Sequence, residues 1–153
     1  MLIEYLYGKI IFILFAAACS ASDIKKKTVD IRIYILMAVL ITAGYIWMAV
    51  SGEEILWLRL AIGLLSAGVM WLIAHFTGQQ LGYGDAAYFT CTALILACRN
   101  ILFILGTLVL IALASLVLVL ICFMQRRSLK DTSLPLIPFS LPVALLMCVR
   151  IFV

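Results

Sequence analysis

Charge is what this sequence has least of. Only 12% of its 153 residues are Asp, Glu, Lys or Arg, against about a quarter in soluble domains. So few charges cannot coat a folded surface, which excludes an ordinary water-soluble fold and makes lipid the solvent for much of the chain. Histidine is nearly absent. His75 stands alone, so there is no histidine partner set for a metal, and His75 reads as an interfacial polar residue. The five cysteines, Cys19, Cys91, Cys98, Cys122 and Cys148, form no CxxC pair. They fall in or beside apolar runs and read as free thiols packed like small hydrophobes. Neither a metal nor a cofactor is expected. A net charge of +4 carries no nucleic-acid signal, because the basic residues are few and stand at the ends of apolar runs, where they orient helices. Repeats, linkers and low-complexity tracts are missing as well.

What is present is apolar: 67% of residues are hydrophobic and the mean hydropathy is +1.29. A spanning helix takes about 20 residues, so the length accommodates roughly six or seven helices with very short loops. That leaves no room for a separate soluble domain of ordinary size. The expected architecture is all-α, a polytopic membrane bundle of about six transmembrane helices forming one domain over residues 1–153. The apolar runs are Tyr5 to Ser22, Ile31 to Val50, Ile55 to Phe76, Tyr83 to Ala97, Ile101 to Met124 and Leu134 to Val153.

The basic residues set the expected orientation. Loops one, three and five, with their helix ends, hold Lys25, Lys26, Lys27, Arg32, Arg126, Arg127 and Lys130. The other side holds Lys9, Arg59, Arg99 and Arg150, with Glu4, Glu53 and Glu54. Positive residues stay in the cytoplasm, which predicts both termini outside. Lys9, Arg59 and Arg150 lie near the outer ends of their runs and are expected to snorkel to the interface. Tyr5, Tyr7, Trp47 and Trp57 fall near the same level, as interfacial aromatics do. Ile10 to Ala18 followed by Cys19 loosely resembles a lipoprotein signal. Glu4 replaces the expected positive n-region, however, and cleavage would send the lysine cluster outward, so the run is read as a helix that stays.

Two acidic residues carry the functional argument. Asp23 ends the first apolar run, and Asp85 begins the fourth, directly after Gly82-Tyr83-Gly84. The topology puts both at the cytoplasmic membrane surface, although 62 residues separate them. An ionisable group at the hydrocarbon edge is costly and suggests function. Two carboxylates brought close cannot both ionise, so one serves as acid while the other serves as base. Aspartic proteolysis uses that division: the base takes a proton from water and the acid polarises the scissile carbonyl. Gly82 and Gly84 would remove side chains beside Asp85 and permit unusual backbone angles. Each aspartate also has a plainer reading. Asp85 suits a helix N-cap, and Asp23 suits a helix end beside lysines. Asp30 can pair with Arg32 or a lysine of the same loop and is not read as catalytic, and Gln79 and Gln80 can line the site but are expected to solvate their loop.

Gly82-Tyr83-Gly84-Asp85 resembles the GxGD motif of type 4 prepilin peptidases and preflagellin peptidases. Asp23-Ile24-Lys25-Lys26-Lys27-Thr28-Val29 resembles that family's other signature, an aspartate followed by basic residues and then an aliphatic one. Pro135-Leu136-Ile137-Pro138-Phe139 resembles a Pro-x-x-Pro-Phe element that often opens its last helix. The resemblance covers nearly the whole chain in order. It departs at Asp30-Ile31, where Pro-Asn is frequent, and at Ala87, where the family often has Lys. It is closest to the short, peptidase-only branch, without the methyltransferase region and its CxxC pairs. The resemblance implies an aspartic endopeptidase with Asp23 and Asp85 catalytic, acting on the leader of prepilin-like proteins at the inner membrane face. Lys25, Lys26 and Lys27 are mainly topogenic, with a secondary part in substrate attraction. The rival class is a small proton-coupled transporter or a catalytically silent scaffold, since membrane carboxylates also relay protons. Transporters more often show broken helices or inverted repeats, which this sequence lacks.

Overall fold

A computed structural model describes residues 2–26, 29–52, 57–77, 82–125 and 136–149. Among the described residues it is an all-α bundle of six α-helices: α1 (Leu6–Lys26), α2 (Ile31–Val50), α3 (Trp57–Phe76), α4 (Tyr83–Leu96), α5 (Asn100–Gln125) and α6 (Leu136–Cys148). Each helix coincides with one apolar run of the sequence. Lys27, Glu53, Glu54, Gln79, Gln80, Arg126, Arg127, Lys130, Pro135 and Arg150 lie outside the described residues, as do the side chains of Lys26 and Cys122.

Among the described residues, four segments are long and apolar enough to cross a membrane: Leu6–Lys25, Ile31–Val50, Trp57–Phe76 and Tyr83–Ile121. The last has 39 residues, and a straight helix of that length would span about 58 Å, roughly twice the hydrocarbon thickness. It is divided instead. A single 3-10 turn at Ala97–Arg99 folds α5 back against α4. The turn works because Ala97 adopts a positive φ, with φ 52° and ψ −127°, and its N–H closes α4 on the Ala93 carbonyl.

Packing puts α4 at the centre. It touches α1, α2, α3 and α5, while α1 and α5 pack along α6. Tyr88, Phe89, Thr92, Ala93, Ile95 and Leu96 are all buried. Around α4 the aromatic rings interlock: Phe15 stacks on Tyr88 with centroids 5.2 Å apart, and Phe103 meets Phe12 edge-on at 5.3 Å. The outer faces are equally apolar, with Leu36, Val39, Leu65, Leu72, Leu113 and Leu116 exposed. Such a surface is stable in lipid, where close packing and interhelical hydrogen bonds hold helices together. α2 and α4 show those bonds: Tyr34 donates to the Gly84 carbonyl at 2.8 Å and Tyr45 to the Leu94 carbonyl at 2.6 Å.

Tyr7, Trp47 and Trp57 are exposed and Tyr5 meets Trp47 edge-on at 5.7 Å, so these aromatics gather at one end, as expected. Arg59 is exposed and Lys9 half-buried near the same end. Of the lysines expected as partners for Asp30, Lys27 and the side chain of Lys26 lie outside the described residues. Asp30 is the N-cap of α2, and its Oδ1 accepts the backbone N–H of Arg32 at 3.0 Å. The free amides of a helix start compete for a short carboxylate more directly than a long flexible side chain does. His75 is exposed, with its ring against Phe76. Cys19, Cys91, Cys98 and Cys148 are free thiols.

Candidate functional site

The bundle alternates direction, so the end of α1 meets the starts of α2, α4 and α6. Asp23 lies in the last turn of α1 and Asp85 in the first turn of α4. Ser20, three residues before Asp23, and Tyr88, three residues after Asp85, are joined through α6: Ser20 Oγ donates to the Ile137 carbonyl, and Tyr88 bonds Ser140, which donates to the same carbonyl. The two residues that stand 62 apart in sequence therefore share one end of the bundle.

Asp23 is held by α6. Its carboxylate accepts a hydrogen bond from the backbone N–H of Ile137 in the first turn of that helix, a place where amides have no intrahelical partner. Pro138 follows and carries no N–H, so the Pro-Leu-Ile-Pro order concentrates donation on few amides. The carbonyl of the same Ile137 is bonded too. Ser140 Oγ donates to it at 2.7 Å and Ser20 Oγ at 3.4 Å. With its proton so placed, Ser140 Oγ accepts from the buried Tyr88 hydroxyl at 2.6 Å. A chain of bonds thus runs from Asp23 through the first turn of α6 to Tyr88, one turn beyond Asp85 on α4. The other oxygen of Asp23, Oδ2, is buried and has no partner among the described residues. A buried acceptor that the fold does not use calls for a functional explanation.

Asp85 is not the N-cap of α4. Gly82 holds that position, with φ −63° and ψ 145° and no side-chain cap. Asp85 stands three residues on and accepts from the Gly82 amide, as the acidic member of a capping box does. A local structural role therefore accounts for one of its bonds. Gly82 and Gly84 do not supply unusual backbone angles, because the one glycine at positive φ among the described residues is Gly52. Their smallness is what counts. A Cβ on Gly82 would stand 3.5 Å from Asp85 Oδ2, and one on Gly84 would find only the Tyr34 hydroxyl, at 4.0 Å. Gly84 is exposed, so a peptide can approach the backbone beside Asp85.

Tyr83 is also exposed and stacks on Trp71 of α3 at 5.6 Å, while Trp71 Nε1 donates to Thr90 Oγ1 at 2.9 Å. This braces the start of α4 against α3. Lys25 is exposed beyond Asp23. Among the described residues no three His, Cys, Asp or Glu side chains group as metal ligands would.

Sequence reasoning singled out both aspartates and both glycines. It missed Ser20, Tyr34, Tyr88 and Ser140. The spacing held a partial signal, since Ser20 and Asp23, and Asp85 and Tyr88, are three apart and share helix faces. Tyr34 and Ser140 come from other helices, and no local pattern marks them. No family model, curated protein or solved structure matches the chain.

Proposed function

We propose that the chain is a membrane aspartic endopeptidase that removes the leader of prepilin-like precursors at the cytoplasmic face of the inner membrane. The observation that carries this reading is the meeting of Asp23 and Asp85 at one end of the bundle, on residues that resemble the two signatures of prepilin peptidases. The free Oδ2 of Asp23 and the uncrowded backbone at Gly84 support it. One carboxylate takes the proton of an attacking water while the other, protonated, polarises the scissile carbonyl. The substrate's apolar helix stays in the bilayer and its leader lies in the cytoplasm, so the scissile junction arrives at the depth of the pair. Co-expression with a prepilin from the same genome, read as a mobility shift, tests the activity. A precursor that stays full length with the wild-type protein counts against it and favours a proton carrier or a scaffold.

The orientation is part of the proposal, with both termini outside and the carboxylates inside. A reporter fused after Val153 is expected to be active externally, and one inserted within residues 125–133 to be active in the cytoplasm. The reverse pattern would place the carboxylates on the wrong side for a leader.

A further inference from the structure

Two tyrosines tie α2 to α4 by the same chemistry at different depths. Tyr34 donates to the carbonyl of Gly84, and Tyr45, three turns along α2, donates to the carbonyl of Leu94. The first bond has a special address. The Gly84 carbonyl belongs to the peptide plane that ends in the Asp85 nitrogen, so fixing that oxygen fixes where the Asp85 backbone sits. Gly82 and Gly84 bring no side chains to this first turn, and its first N–H groups lack intrahelical partners, so it depends on contacts from other helices, Trp71 on Tyr83 and Tyr34 on the Gly84 carbonyl. Leu94 lies in the last turn of α4, at the far end from Asp85, so the bond made there holds the helix without setting the place of the carboxylate.

The anchor is itself held. The Tyr34 ring meets Phe15 edge-on at 6.1 Å, and Phe15 stacks on Tyr88. Tyr88 is locked to Ser140, and Ser140 to the Ile137 carbonyl, whose own amide holds Asp23. Tyr34 therefore references Asp85 to the framework that holds Asp23.

We infer that Tyr34 is a positioning residue that sets the place of Asp85 relative to Asp23 through its hydrogen bond to the Gly84 carbonyl. The catalytic consequence rests on the peptidase reading. The positional one does not.

The test compares Tyr34→Phe with Tyr45→Phe in the purified full chain in detergent. Each loses one hydroxyl and one bond to an α4 carbonyl. With a prepilin substrate, Tyr34→Phe is expected to lower kcat about tenfold with KM held within about twofold, because small misplacements of reacting groups carry losses of this order or larger. Tyr45→Phe is expected to stay within about twofold in both. Equal losses of kcat in the two variants, or a change confined to KM, would overturn the inference. A second measurement needs no substrate. Dicyclohexylcarbodiimide modifies carboxyl groups in apolar surroundings, and peptide mass spectrometry reads Asp85 and Asp23 separately. Tyr34→Phe should change the Asp85-to-Asp23 labelling ratio severalfold and Tyr45→Phe should leave it alone. If Tyr34→Phe does not survive extraction, the labelling is done in native membranes. An unchanged ratio refutes the positioning role. A wild-type protein that cleaves no leader refutes the peptidase reading instead, and the ratio then decides the inference by itself.

Discussion

Asp23→Asn and Asp85→Asn are each expected to leave a co-expressed prepilin unprocessed, with a rate loss of about three orders of magnitude, within the range one positioned acid or base contributes. The double variant should be no worse than either single one, because groups that act as a unit do not lose activity additively. Folding should survive both changes. Asparagine keeps an acceptor for the Ile137 amide at position 23 and for the Gly82 amide at position 85, the bonds that each carboxylate makes to the fold. The loss would then be chemical rather than structural, and a normal detergent elution profile would show it. Asp30→Asn should keep most activity, since Asp30 caps α2 and asparagine caps as well. His75→Ala should also keep it, for His75 is exposed. Lys25→Ala should weaken processing modestly, and more at low salt, where surface charge is least screened. Full processing by either Asp→Asn variant would overturn the catalytic assignment.

The fold was legible where lipid makes a one-dimensional demand. Each apolar run had to become a helix, and the helix bounds follow the run bounds within a few residues. The end shared by Asp23 and Asp85 was legible for the same reason, because alternating short helices leave little choice of end. What was illegible is which face of each helix turns inward. In water the buried face is the apolar one, but here both faces are apolar: Leu36 is exposed while its neighbour Met37 is buried. The inward faces are marked by Tyr34, Tyr45, Tyr88 and Ser140, whose hydroxyls find partners across helices. Each of them also reads as an interfacial or neutral residue when taken singly. The reading of Gly82 and Gly84 went astray at the same level. Their sizes could be judged from sequence, but the backbone angles follow from the helix start that they occupy.

The far end of α4 carries the other large effect. Gly63 of α3 packs on the backbone of Ala97, where α4 turns into α5. A Cβ at 63 would fall against the Ala97 carbonyl oxygen and stand 2.6 Å from its carbon. Close approach of small residues is how helices gain contact in a bilayer. The junction is then sealed by a buried polar cluster. Ser66 Oγ donates to the Gly63 carbonyl at 2.6 Å and accepts from Asn100 Nδ2 at 2.9 Å, and Asn100 Oδ1 accepts from Thr92 at 2.8 Å. Backbone cannot yield as a side-chain tip can, so Gly63→Ala is expected to destabilise the protein by about 3 kcal/mol or more, at or beyond the upper end for overpacking. Gly68→Ala is the control on the same helix. Nothing lies within 4 Å of its Cβ position, and a helical glycine replaced by alanine there should gain about 0.5–1 kcal/mol. Ala97→Gly should also stabilise, by about 1–3 kcal/mol, since a non-glycine residue at φ 52°, ψ −127° is held in a sparsely populated backbone conformation. Denaturant- or heat-induced unfolding in detergent micelles reads all three. The close approach is disproved if Gly63→Ala behaves like Gly68→Ala. A severe loss at 63 alone would show that the backbone contact between Gly63 and Ala97 holds the end of α4 against α3.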